Sequence, residues 1–309
     1  MEVCVKLSNG PSYVDVDGVR VHSGYSPEAV RSAILYEPSP EDVFVVTYPK
    51  AGTTWVQQIG YLILNKGVPA CNALDFLRSS PFLEMSGATV MKQWTRRGFI
   101  KTHLPYSLLR KHAKAKYIYV CRNPKDVCIS LFHHTRLFNA YEFADGMFED
   151  FFEAFLKGDT DYGDFFEHVL SWYKHRNDPN VLFLHYEEIK LNLRQCVVKI
   201  AKFMGEEHLE LLLNNEATLE NVLRYSGIEY MRWQVEHLFS HLYKKDLVSE
   251  KRSVGSQDCD KRRAFVRKGI VGDWKNYFNA DMNARMEEKI NRMLSSTDLV
   301  DFWRDNGVL

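Results

Sequence analysis

This 309-residue chain has no long apolar run, no excess of either charge and no paired-cysteine motif. A membrane-spanning helix needs roughly 20 consecutive apolar residues, and no stretch approaches that. Forty basic and forty acidic residues cancel. No polyelectrolyte surface for nucleic acid or a membrane is therefore expected, and any anion site must be local. The six cysteines (Cys4, Cys71, Cys121, Cys128, Cys196 and Cys259) are scattered, which reads as reduced thiols rather than a disulfide framework. The opening MEVCVKLSNGPSY lacks the basic and long apolar regions of an export signal, so a cytoplasmic location is expected. What remains is 45% hydrophobic and 13% aromatic, ample for a core. One large α/β domain over residues 1–309 is the simplest organisation.

Residues 43–66, VFVVTYPKAGTTWVQQIGYLILNK, carry the most information. The apolar run Val43 to Val46 reads as a buried strand. It enters a tight turn, Pro49-Lys50-Ala51-Gly52, and a helix opens at Thr53-Thr54 with Ile59, Leu62 and Ile63 on one face. A strand, a glycine-containing turn and a helix N-terminus together bind phosphate, because free amides and the positive end of the helix dipole converge there. Lys50 adds a full charge. The segment is not GxxxxGK[ST], since Lys50 precedes Gly52 and no second glycine lies upstream, so a nucleoside-triphosphate kinase reading is weakened.

Further strands are expected at Ile100–His103, Tyr117–Cys121 and Val181–Tyr186, alternating with helices, and Tyr13–Val21 forms a hairpin around Asp17-Gly18. Strands that alternate with helices predict a parallel sheet covered on both faces, with ligands at the strand C-termini. Lys50, Arg122 and Tyr186 all fall at that end. The stretch 221–266 is polar and mixed in charge, and is expected to be a mobile excursion. Arg122 after its strand, Ser130 in the next helix and Arg267-Lys268-Gly269 suggest a second anion site, since arginine offers a bidentate fork. Two anion sites suit a nucleotide phosphorylated at both ends. Lys101 and His103, two apart in an extended segment, share a face, and histidine can remove a proton near neutral pH. His237 and His241 sit four apart on an expected helix, but without a third ligand a solvated face is the favoured reading.

At this point the residues resemble a family, the cytosolic sulfotransferases that use 3′-phosphoadenosine 5′-phosphosulfate (PAPS). The resemblance covers nearly the whole chain. TYPKAGTTW resembles the family's 5′-phosphosulfate loop, KTHLP its catalytic strand and CRNPKDVCIS its 3′-phosphate segment. VLFLHYEEIK resembles its adenine-side strand and RKGIVGDWKNYF its C-terminal clamp, and PFLE at 81–84 is also similar. The resemblance implies an α/β fold with a central parallel sheet and a P-loop-like phosphosulfate turn. It implies that Lys50, Gly52, Thr53 and Thr54 hold the 5′-phosphosulfate, with Trp55, Tyr186, Thr218 and Leu219 on the adenine side. Arg122, Ser130, Arg267, Lys268 and Gly269 would hold the 3′-phosphate. His103 would be the general base, with Lys101 and Lys50 stabilising the transferring and departing groups. A sulfuryl group carries less negative charge than a phosphoryl group, so lysines suffice and no metal is expected.

The acceptor pocket would be lined by Phe82, Phe132, Phe138 and Phe143, which favour a flat, apolar, hydroxylated molecule. Glu142 and Glu84 could pair with an amine, so a phenolic amine such as dopamine or octopamine is the expected acceptor. A sterol or other alcohol, an idle nucleotide-binding protein and a small-molecule kinase stay open as alternatives. The family's dimer strip is altered here: Lys275 is followed by Asn279-Ala280, and Ala284 stands where a glutamate is usual. A homodimer is left open, and 221–266 would serve as a substrate lid.

Overall fold

A computed structural model of the chain describes residues 2–93, 98–239 and 266–309. Within them the chain gathers into two compact units: residues 2–24, 122–170 and 266–309, and residues 25–93, 98–121 and 171–239. The first opens with an antiparallel sheet of β1 (Glu2–Lys6), β2 (Ser12–Val16) and β3 (Val19–Val21). Asp17 (φ 48°) and Gly18 (φ 87°) both occupy left-handed backbone, the conformation a two-residue turn needs to match strand twist. Register and alternation set Val16, Val19 and Val21, all buried, on one face, and the buried Tyr13 on the other. In the same unit the helix Phe148–Lys157 buries Phe148, Phe151, Phe152 and Phe155 at helical spacing.

The second unit is built on a four-stranded parallel sheet of order β5-β4-β6-β7, with β4 (Val43–Thr47), β5 (Ile100–Thr102), β6 (Lys116–Cys121) and β7 (Val181–His185). Phe44, Val45, Val46 and Thr47 are fully buried, as a central strand covered on both faces requires. The register pairs Val46 with Thr102, Thr47 with Val120 and Cys121 with His185. Turn 48–52, His103 and Tyr186 therefore leave the sheet at one edge, where α/β proteins place their chemistry. Trp172 anchors the exit of β5: its indole N–H donates to the Leu104 carbonyl at 3.2 Å, and its ring packs on Tyr106, Tyr117 and Tyr119.

Two sequence expectations change. Tyr186 does not end β7 but opens the short helix Tyr186–Leu191. Residues 221–239 are helical rather than an irregular excursion: they lie in Glu216–Tyr225, Ile228–Gln234 and a π-helical turn, Val235–Phe239. Their mixed charge hides a buried stripe of Val222, Met231, Gln234 and Val235. The remainder of the expected lid, with His241, lies outside the described residues. Asn279, in the altered dimer strip, caps the helix Ala280–Leu294 by accepting the Met282 N–H at 2.8 Å.

The helix Thr53–Leu64 packs so closely that a β-carbon at Gly60 would lie 2.1 Å from the fully buried Phe99 ring. Gly60→Ala is expected to cost about 1–3 kcal/mol by overpacking, read as a lower urea midpoint. An unchanged midpoint would show that Phe99 can move aside.

Candidate active site

The turn after β4 is shaped for an anion. Lys50 is left-handed at φ 69°, and Gly52 follows at φ 111° in the N-cap position of the Thr53 helix. Five other helices begin under an Asn or Ser side chain that accepts one of their opening amides: Ser26, Asn72, Asn123, Asn215 and Asn279. Each of those also carries an acid in its first turn. The Thr53 helix has neither a side-chain cap nor an acid there, as is also true of helix Leu193–Met204, and such a start is compatible with an anion. A β-carbon on Gly52 would sit 3.0 Å from the Tyr186 ring, so glycine is required both for its φ and for the close approach.

Thr47, the last residue of β4, ties this turn to the neighbouring strand. Its hydroxyl lies 2.7 Å from the Thr53 hydroxyl, and its carbonyl lies 2.8 Å from Nδ1 of His103. A carbonyl only accepts, so Nδ1 carries the proton and Nε2 the lone pair. The His103 amide donates to Glu84 Oε1 at 2.6 Å. Phe82 meets both chemical groups of this strand. Its ring lies 3.9 Å beneath Lys101 Nζ and edge-on to His103 at 5.2 Å, which sets Lys101 and His103 on one face. Burial pushes the Glu84 carboxyl up to about 7, opposed by the His103 N–H and Thr102. Burial also brings Lys101 down to about 8, opposed by Glu84.

The adenine-side assignments divide. Trp55 donates its indole N–H to the Ser226 carbonyl at 2.8 Å and packs edge-on to Tyr186 at 5.4 Å. Thr218 and Leu219 do not join them. Thr218 abuts Gly67, beyond the C-terminal end of the Thr53 helix, whose 12 residues separate the two places by roughly 18 Å. Helix Glu216–Tyr225 runs back along the Thr53 helix, so its end at Tyr225-Ser226 reaches the turn and its start does not. Gln58 confirms the direction by donating to the Tyr225 carbonyl at 3.1 Å.

In the first unit, Arg122 donates to the Ile270 carbonyl at 3.3 Å and lies 3.7 Å from Asp126. Asp126 accepts the amides of Gly272 (2.8 Å) and Trp274 (3.1 Å), fixing segment 267–274 against the start of helix Pro124–Leu137. Arg267 and Lys268 both reach Asp273, at 2.5 and 2.7 Å, and Gly269 is left-handed at φ 62°. Arg122, Arg267, Lys268 and Gly269 are thus gathered in one basic locus. Ser130 stands farther along the same helix, half-buried. Phe132, Phe138 and Phe143 are buried in this unit, Phe132 against Phe148 and Phe151, and Phe143 against Phe151.

Neither glutamate is placed to receive an amine. Glu142 accepts from Lys6 Nζ and Ser12 Oγ at 2.9 and 3.0 Å on an exposed surface, and Glu84 is enclosed behind His103. His237 Nδ1 lies 2.9 Å from the carbonyl of Trp233 in the preceding helix, and His241 lies outside the described residues. Sequence reasoning missed Thr47, Asp126 and Ser226, and took Glu84 for an amine partner rather than the acceptor of the His103 amide. Thr47 and Glu84 do stand inside the TYPKAGTTW and PFLE motifs, and motif membership was the available signal.

A family model described as the sulfotransferase domain matches residues 40–298. The chain belongs to the sulfotransferase family. Sulfotransferase 1B1 of Canis lupus familiaris is 36% identical over 276 residues, covering 85% of this chain and 87% of that protein. Mouse sulfotransferase SULT7A1, solved in complex with PAP, superposes with a TM-score of 0.74 at 28% identity, covering 96% of this chain and 98% of that one. Retinol dehydratase, solved with retinol and PAP, gives 0.71 at 26% identity over 94% and 91%. The sulfotransferase family uses PAPS as sulfate donor. The uncapped, acid-free helix start and the crowded Gly52 fit an anionic donor.

The Glu84 carboxyl gives this sulfotransferase a pH signature. Its folded value, about 7, lies above the ordinary 4.5, so the native state keeps a proton the unfolded chain has lost. Its contribution to stability therefore falls as pH rises from about 4.5 to about 7. The stability difference between Glu84→Gln and wild type, from urea unfolding at several pH values, should move in favour of the variant across that window. A pH-independent difference would refute the raised value.

Proposed function

We propose that this sulfotransferase moves a sulfuryl group from PAPS to the hydroxyl of a small, flat, apolar acceptor, a phenol first of all, with His103 as general base. The observation that carries the reading is the Thr47 carbonyl on His103 Nδ1, which holds the lone pair on Nε2, beside a helix start without cap or acid. When bound, PAPS supplies an activated sulfuryl group and a phosphate oxygen able to take up the bond electrons. His103 Nε2 accepts the acceptor's hydroxyl proton. Lys50 and the amides of Gly52, Thr53 and Thr54 meet the charge on the departing side, already oriented. Lys101, held over Phe82, stabilises the transferring group.

Arg122, Arg267, Lys268, Gly269 and Ser130 are the proposed 3′-phosphate residues, and Trp55, Tyr186 and Ser226 the adenine-side residues. Phe82, Phe132, Phe138 and Phe143 supply acceptor walls. With Glu142 bound to Lys6 and Ser12, a phenolic amine loses its expected carboxylate, and a neutral phenol or apolar alcohol is preferred. The retinol held by one solved relative supports an apolar hydroxyl. Cytoplasmic residence is proposed from the family. No described helix is long and apolar enough to cross a membrane.

The test is transfer of labelled sulfate from PAPS, with a chelator present, to a panel of phenols, phenolic amines, sterols and retinoid alcohols. Transfer to neutral phenols ahead of their amines is expected, and PAP binding without transfer to any member would refute the reading. His103→Ala should lower kcat by about 10²–10⁴ while PAP affinity stays within about threefold. Retained turnover would remove His103 as the base. Arg122→Ala should weaken PAP by about 10- to 100-fold, the loss of charge-assisted hydrogen bonds, and an unchanged Kd would refute its 3′-phosphate role.

A further inference from the structure

The turn that carries Phe138 and Phe143 does not stand alone. It is a short 3-10 turn, Asn139–Tyr141, closed by Glu142 in left-handed backbone at φ 53°, a conformation that disfavours a glutamate. What holds it comes from the N-terminal sheet. Ser23 Oγ donates to the Ala140 carbonyl at 3.1 Å, and Lys6 and Ser12 bind the Glu142 carboxylate. Tyr141 is the centre of the arrangement. Its ring is 1% exposed and lies edge-on to Tyr13 (5.8 Å) and His22 (4.7 Å), and His22 in turn stacks with Phe138 at 6.2 Å.

The Tyr141 hydroxyl donates to Asp161 Oδ2 at 2.6 Å. Asp161 is buried, and its other oxygen has no hydrogen-bond partner among the described residues. A buried carboxyl with one partner depends heavily on that partner. The neighbouring turn is also tied to the edge strand β3, where the Tyr162 amide donates to the Arg20 carbonyl at 2.8 Å and Arg20 binds Asp159 at 2.9 Å. Aromatic wall, sheet and acidic turn thus meet at one phenol.

We propose that the N-terminal three-stranded sheet is a specificity element of the acceptor site, acting through Tyr141 as the positioning residue for Phe138 and Phe143. The inference rests on the reading above that those phenylalanines line the acceptor site. Neither Tyr141 nor Asp161 touches the reacting atoms, so their removal moves acceptor binding and leaves donor binding alone.

Tyr141→Phe keeps the ring and deletes the hydroxyl. It should raise KM for phenols by about 5- to 20-fold, with kcat, PAPS KM and PAP affinity within about twofold. Asp161→Asn, whose amide oxygen still accepts the hydroxyl, should keep the wild-type acceptor KM, and Asp161→Ala should not. Glu142→Gly tolerates the left-handed backbone while releasing Lys6 and Ser12, and should raise acceptor KM by about two- to fivefold, as an exposed pair allows. If Tyr141→Phe shows no PAP-dependent rise in melting temperature, it has not folded, and Glu142→Gly and Asp161→Ala decide. Active Tyr141→Phe, Asp161→Ala and Glu142→Gly variants with unchanged acceptor KM and unchanged ranking of acceptors overturn this inference alone. A wild-type protein that transfers to no acceptor fails the underlying reading as well.

Discussion

Everything chemical in the parallel-sheet unit depends on Thr47. It is fully buried at the end of the central strand, and its two oxygens point to two different elements. The carbonyl fixes the His103 ring, and the hydroxyl reaches Thr53 in the first turn of the anion-binding helix. Parallel pairing makes this possible, because β4 and β5 end side by side. One residue therefore sets the tautomer of His103, the proposed base, and braces the start of the Thr53 helix.

The same edge shows how the fold handles charge. Five of the described helices satisfy an opening amide through an asparagine or serine and carry an acid in the first turn. The Thr53 helix leaves them open. Behind the base, Glu84 and Lys101 are poised near neutrality in opposite senses, the acid raised and the amine lowered by burial. Each opposes the shift of the other.

Legibility from sequence followed how local the determining interaction is. The strand, turn and Thr53 helix were readable because β-rich apolar residues, a glycine and a helical stripe succeed one another within 24 residues. Arg122 was readable for the same reason, standing between a strand and a Pro-started helix. Thr218 and Leu219 were placed wrongly because the end of a helix that reaches a site depends on its direction along a partner. Ser226, seven residues on, is delivered by that direction and by a main-chain carbonyl, which no side-chain pattern reveals. Residues 221–239 looked irregular because charges interrupt the stripe. Glu142 looked available because a carboxylate in an aromatic stretch gives no hint of a lysine 136 positions away.

Lys50 carries a consequence of a different kind. A lysine at φ 69° occupies backbone that costs an L-residue about 1–2 kcal/mol, and that glycine adopts freely. Evolution toward a sturdier protein would replace it with glycine and erase the charge at the anion turn. A stability-guided redesign that places glycine here would remove the cation proposed to face the departing phosphate.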